Sequence, residues 1–322
     1  LFIIWFVLSQ TFGVIVATPH ISADGLKSYI TEFELPMRRL GNLPGVSETI
    51  FRYGAFVGSV INHYARLDRA MNYARDHIAM VEQENRSVVN GTTIVADYLT
   101  GSKGRFTRTW HAPQGGLWGS IIYVNTLLPR SRLLLPLAVG VACCETLRDS
   151  GAKKSVIRWI NDVLIDGLKI GGFLIESFHG DVSKEEFFLI GFGININNAD
   201  FPDELKHLAT SLSLYLGHSI DLEIFTYCFL AKLQWNLGLL CFEEEHFLKE
   251  GQWLGSSGRH CLLDRWSELS DSLGKQVVFG FDVMKRPQFE AKVIGISSDG
   301  GLQLSLDDGS VITEYSGEIR YI

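Results

Sequence analysis

The sequence predicts an α+β fold: a mixed β-sheet flanked by helices, followed by a small β-barrel. Three observations predict it. The centre of the chain, from about 155 to 194, is a series of short apolar runs broken by turn signals. Helical patterns stand on both sides of that centre. After Gly274 the texture changes to short strands punctuated by Asp299-Gly300 and Asp308-Gly309.

Element by element, residues 25–45 pattern as a short amphipathic helix that Pro36 ends, then a turn-rich link. A helix with alternating charge on its outer face follows over 66–84. Asn90-Gly91 is a turn leading into the β-rich TTIVADYL, and WGSIIYVNTLL (118–128) reads as a buried strand. LLPLAVGVACCETLRDSG is a buried helix closed by Gly151. SVIRW and VLI are short strands separated by Asn161-Asp162. VLI-DG-LKIGGFLIES then has the form of a hairpin with Asp166-Gly167 as its turn. EFFLIGFGINI is a further strand. Helices are expected over 203–217, 221–249 and 258–272. Four or five strands in the last fifty or so residues form the barrel.

A chain of 322 residues holds one sizeable core and a smaller satellite. With 46% hydrophobic and 20% charged residues its composition is that of an ordinary globular protein. The net charge of −7 argues against a dedicated nucleic-acid binder, so no nucleic-acid partner is expected. Five scattered cysteines without a CxxC pair fit buried thiols in a reducing cytoplasm better than a disulfide framework. The first sixteen residues, LFIIWFVLSQTFGVIV, are apolar without preceding cations. They read as a buried or truncated segment, with a membrane or secretory element as the other reading; membrane attachment is not the expectation.

Three stretches could carry chemistry. SKGRFTRTWHAP (102–113) places Lys103, Arg105 and Arg108 on a glycine-containing loop ending in Trp110. Arginine suits bidentate recognition of phosphate or carboxylate, and lysine supplies a point charge; a solvated basic turn is the bland reading. In RWINDVLIDGLKIGGFLIE (158–176), Lys169 interrupts an apolar strand beside Gly171 and Gly172. Such a lysine needs a facing carboxylate or a bound anion. Asn161 and Asp162 lie between strands, where they can cap backbone or meet a ligand. In IGFGININN (190–198), Asn195 at the strand end can meet a phosphate or purine, or cap the next turn. The histidines are dispersed, and no metal site is expected.

Taken in this order, S-K-G-R-F-T-R-T-W-H-A-P, R-W-I-N-D…K-I-G-G-F-L-I-E and G-F-G-I-N resemble the biotin protein ligase family, whose motifs are G-R-G-R-x-G-R-x-W-x-S-P, K-W-P-N-D…K-x-x-G-I-L-x-E and G-x-G-I-N. The terminal Y-S-G-E-I is similar too. The likeness spans about residues 50 to 322. It implies a class II synthetase-like catalytic domain over 48–272 and an SH3-like barrel over 273–322, after an N-terminal extension of 1–47. It also implies an ATP-dependent biotin–protein ligase, making an acyl-adenylate and passing biotin to a lysine of a carboxylase's biotin carboxyl-carrier domain. Lys169 and Arg105 match the catalytic positions. Lys103, Gly104, Arg105, Lys169 and Gly172 match biotin-binding ones. Arg108, Trp110, Asn161, Asp162, Lys169 and Asn195 match ATP-binding ones. Mg²⁺ is expected to accompany ATP.

The resemblance implies that several of the departures fall where the family reads the vitamin. Arg69-Ala70 replaces Ser-Thr, Leu99 replaces Gln, Ser102 and Lys103 replace the first loop Gly and Arg, Thr107 replaces the second loop Gly, and Ile160 replaces Pro. Losing such hydrogen-bonding groups costs affinity. Another carboxylate, lipoate or octanoate, and a non-catalytic binding module are therefore the alternatives. Before residue 47 the chain has too few cations for a DNA-reading helix-turn-helix.

Overall fold

The computed structural model describes residues 21–255 and 258–322; the apolar run 1–16 lies outside them. Helices α1 (Ala23–Tyr29) and α2 (Leu35–Arg39) are joined without a break by a π-helical segment, Ile30–Glu34. Pro36 does not end the helix as expected. It follows the π-helical turn directly, and the helical run continues through it. Then come α3 (Ser47–Gly54), β1 (Ile61–Tyr64), α4 (Ala70–Gln83), β2 (Thr93–Ala96), β3 (Leu117–Val124), α5 (Pro129–Arg132) and α6 (Leu135–Asp149). Strands β4 (Val156–Arg158), β5 (Asp162–Ile165), β6 (Leu168–His179) and β7 (Glu186–Ile194) form the centre. Three helices follow, α7 (Leu212–Leu216), α8 (Leu222–Glu250) and α9 (Cys261–Leu269). The last segment carries β8 (Gln276–Gly280), β9 (Phe289–Ile296), β10 (Leu302–Ser305), β11 (Val311–Glu314) and β12 (Glu318–Tyr321).

Seven strands make one sheet in the order β1-β2-β3-β7-β6-β5-β4, in which β1 and β2 run parallel and the other pairings are antiparallel. The predicted Asp166-Gly167 turn joins β5 to β6, both residues at positive φ (46° and 81°), the backbone that a tight two-residue hairpin requires. The other five strands form an antiparallel sheet ordered β11-β10-β9-β8-β12. The helix expected over 203–217 is shorter: 203–208 is a series of turns, and only α7 is helical.

One face of the large sheet is covered by α6 and α8. Helix α8 begins at Asp221, whose carboxylate accepts from the Ile224 N–H, and ends at Gly251 with φ 74°. Its length and composition would suit a membrane span, yet 89% of its most apolar window is buried within this fold. Phe225, Phe229, Leu233, Leu237 and Leu240 are buried there, each worth about 1.5–3 kcal/mol of removed apolar surface. The α1–α2 segment packs on α8 through an ionic network. Lys232 contacts Glu34 (3.1 Å) and Asp149 (2.7 Å), and Arg38 bridges Glu34 (2.9 Å) and Glu145 (2.6 Å). Helix α4 lies on the opposite face of the sheet with Met71, Ala74 and Ile78 inward, beside the surface on which the site is built.

Candidate functional site

The site rests on two neighbouring strands made of glycines and small steps. β6 and β7 pair Gly172 with Gly193, Leu174 with Gly191 and Glu176 with Leu189; β3 continues these rungs with Trp118, Ser120 and Ile122. Bare backbone at the first two rungs lets large side chains lie directly on the sheet. A methyl group on Gly193 would stand 2.7 Å from Trp110 Nε1, and one on Gly172 would stand 3.1 Å from Trp110 Cζ3. Trp110 therefore occupies the first rung. Met71 occupies the second, its sulfur 2.5 Å from a methyl on Gly191. The glycines are needed for close approach, as the GFG pattern suggested.

Above them lies a cavity of about 230 Å³. Residues 99–112, carrying Lys103, Gly104, Arg105, Arg108 and Trp110, form one wall as a pinned loop. Leu99 N donates to Ala112 O, Trp110 N to Ser102 O, and Gly104 N to Arg108 O. Lys169 and Gly172 of β6, Asn161 before β5 and Asn195 after β7 line the same cavity. The sheet thus brings together Lys103, Gly104, Arg105, Arg108, Trp110, Asn161, Lys169, Gly172 and Asn195, every predicted site residue but one.

The exception is Asp162, which does not line the cavity. Its carboxylate is 2.5 Å from Lys169 Nζ and 2.6 Å from Arg158 Nη2. Burial would raise its pKa, but the two cations outweigh burial and hold it at about 2. Asp162 is thus the facing carboxylate that a lysine in an apolar strand calls for. The ammonium of Lys169 also stands 5.1 Å from the centre of the Trp110 ring. The loop and the lysine share one hollow.

The two asparagines are tied into the fold as well as lining the cavity. Asn161 Nδ2 donates to Phe173 O at 2.7 Å. Asn195 Oδ1 accepts from Asn198 Nδ2 at 3.1 Å. Trp110 Nε1, by contrast, is buried with no hydrogen-bond partner among the described residues. A buried indole donor left unmade is costly and points to a group that arrives later.

Several contributors gave no local signal in the sequence. Arg108 Nη2 reaches Asp282 Oδ1 (2.7 Å) and Glu318 Oε2 (2.6 Å) in the C-terminal sheet, and Arg105 Nη1 donates to Gly317 O at 2.5 Å. Burial lowers the Arg105 pKa, while Glu318 and Asp162 oppose that shift. Y-S-G-E-I was the only sequence hint that the small sheet closes over the site. Phe201, Leu205 and Leu208 cover the far side, and Lys169 N is held by Leu208 O at 2.8 Å. The other end is apolar, with Ala70, Met71, Leu99 and Trp118 around Arg69.

Cations on a loop, a lysine on a strand and a partly apolar hollow define a protein that can hold two anionic groups side by side, as a carboxylate-activating ligase must. Residues 66–195 match the biotin/lipoate A/B protein ligase family. The chain is 38% identical over 143 residues to the bifunctional ligase/repressor BirA of Bacillus subtilis (strain 168), covering 44% of each protein. It is 24% identical over 254 residues to BirA of Escherichia coli (strain K12), covering 79% of this chain and 71% of that one. The chain thus spans less than half the length of its Bacillus relatives. A biotin protein ligase from Aquifex aeolicus, solved with biotin and ATP, shares the fold: TM-score 0.62, 24% identity, 81% of this chain and 98% of that one.

Proposed function

We propose that the chain is an ATP-dependent biotin–protein ligase, which makes biotinyl-5′-AMP and transfers biotin to a carrier-domain lysine. One observation carries the reading: Arg105, Arg108 and Lys169 converge on a single cavity bedded on the Gly172–Gly193 rung. Activation brings a carboxylate against the α-phosphate, and two anions repel unless cations offset them. Lys169, aimed by Asp162, is suited to stand between carboxylate and phosphate. Arg105 and the loop around it are suited to cover the anhydride from water. The unpartnered Trp110 indole and Asn195 face the nucleotide in this reading. Among the described residues no three metal-ligating side chains gather, so magnesium is proposed to arrive on the phosphates, with no residue assigned to it. The partner is a biotin carboxyl-carrier domain of a carboxylase, and the protein is proposed to work in the cytoplasm.

Ala70, Met71, Leu99 and Trp118 favour a second reading, a ligase of this family for lipoate or octanoate. Pyrophosphate exchange with a panel of acids separates the two. The expected result is biotin-dependent exchange that Lys169→Ala lowers by roughly 10²–10³-fold. Exchange with octanoate or lipoate but not biotin selects the second reading. No exchange with any acid removes both.

A further inference from the structure

We propose that the hollow between α3, the turn after β3 and the C-terminal half of α8 is a second binding site, built for a small organic ammonium ion with an apolar stem. It is separate from the cavity described above and does not depend on the ligase reading.

The hollow measures about 320 Å³ and is walled by Tyr53, Phe56, Asn90, Leu127, Glu244 and Leu248, among others. Among the described residues no lysine or arginine lines it, whereas Lys103, Arg105, Arg108 and Lys169 line the first cavity. Glu244 sets its character. This residue is only 8% exposed, and one carboxylate oxygen accepts from the Leu128 N–H at 3.0 Å. The other oxygen has no hydrogen-bond partner among the described residues, and no cation there pairs with the group. Lys249, further along α8, is taken by Glu245. The Cys241 thiol, also in the wall, is pushed up to about 11, by burial first and by the Glu244 charge in addition. It therefore stays neutral and leaves that charge unanswered. A carboxylate so deep is costly unless a cation meets it, and the side of it that lacks one belongs to a hollow wide enough to admit one.

The remaining wall suits the stem of such a cation. Phe56 stacks on Tyr123 at 5.0 Å and Tyr53 packs on Phe242 at 5.9 Å, so both rings are held in place. Aromatic rings attract an ammonium group as well as an apolar chain. Leu127 is buried, and Leu248, 65% exposed, stands at the mouth. An anion would be repelled here, and a neutral molecule would leave Glu244 uncompensated. Strand β3 keeps the two sites apart. Trp118 lines the first cavity, while Val124, six residues on, donates its N–H to Asn90 of the second. That is roughly 20 Å of strand at about 3.3 Å per residue.

The test titrates n-hexylammonium and benzylammonium into the full chain in phosphate buffer, followed by calorimetry. The uncharged counterparts, 1-hexanol and benzyl alcohol, are run beside them. Saturable binding at one site is expected, with each ammonium preferred over its alcohol by about tenfold or more. Glu244→Gln keeps the shape of the side chain and its bond to Leu128. It is expected to weaken ammonium binding by about 10- to 100-fold, the worth of a charged hydrogen bond, and to leave the alcohols little changed. Leu248→Trp, on the exposed rim, is expected to narrow the mouth and weaken every probe. No saturable binding of either ammonium, equal affinity for ammonium and alcohol, or a folded Glu244→Gln with wild-type affinity overturns the proposal. Should Glu244→Gln fail to fold, Leu248→Trp decides, and wild-type ammonium affinity in that variant overturns the proposal as well.

Discussion

Lys169 and Asp162 form a pair in which each explains the other. The ammonium sits in a strand whose neighbours are apolar, and the carboxylate that neutralises it is itself 16% exposed and shared with Arg158. Because the folded pKa of Asp162 is lowered from 3.8 to about 2, its contribution is complete above pH 3.8. It is lost as the pH falls through 2. The shift corresponds to about 2 kcal/mol. Glu145, drawn from 4.5 to about 2 by Arg38, Lys232 and Arg265 against the effect of burial, behaves alike. Asp162→Asn is expected to flatten the acid end of the stability profile, read by fluorescence-detected unfolding between pH 5 and 2. It should also slow exchange at neutral pH, since Lys169 loses the group that aims it. A variant with unaltered exchange would mean that Lys169 keeps its place without that carboxylate.

The paired strands β6 and β7 set what can lie in the cavity. Their glycine rungs are a geometric requirement, so the smallest addition is the sharpest probe. Gly193→Ala puts a methyl 2.7 Å from the Trp110 indole nitrogen, and backbone cannot yield as a side-chain end can. Trp110 is expected to be displaced, with a red-shifted emission and an exchange rate lowered by roughly tenfold or more, as expected when a positioning group shifts by about 1 Å. Unchanged emission and rate would show that the indole adapts in place. The same reasoning explains why the sequence-level GFG was weak evidence alone: a glycine pair signals close approach without naming what approaches.

The large sheet and the small one meet at the loop. Arg108 spends its charge on Asp282 and Glu318, and Arg105 rests on Gly317. The pairing ties the loop to the small sheet. In the doubly substituted Asp282→Asn, Glu318→Gln protein, trypsin cleavage within 103–108 is expected to quicken by roughly fivefold, since a half-exposed ion pair is worth about 1 kcal/mol. Added acid and ATP should restore protection. Cleavage at the wild-type rate would show that the backbone hydrogen bonds across the loop suffice to hold it.

The sequence by itself determined the local facts: strand and helix periods, the Asp166-Gly167 hairpin, and the order of three motifs whose residues meet in one cavity. Each is written within a few neighbours, where alternation, turn chemistry and composition act directly. The tertiary structure decided the rest. It gave Asp162 to Lys169, let Pro36 begin a helical turn within a longer helix, and brought Asp282 and Glu318 to the loop. It also set Arg69 against Glu176, more than a hundred residues away in sequence. Those pairings arise from sheet order and from which faces are buried. A charged side chain takes its role from the partner that packing delivers, and no short stretch of chain contains that information.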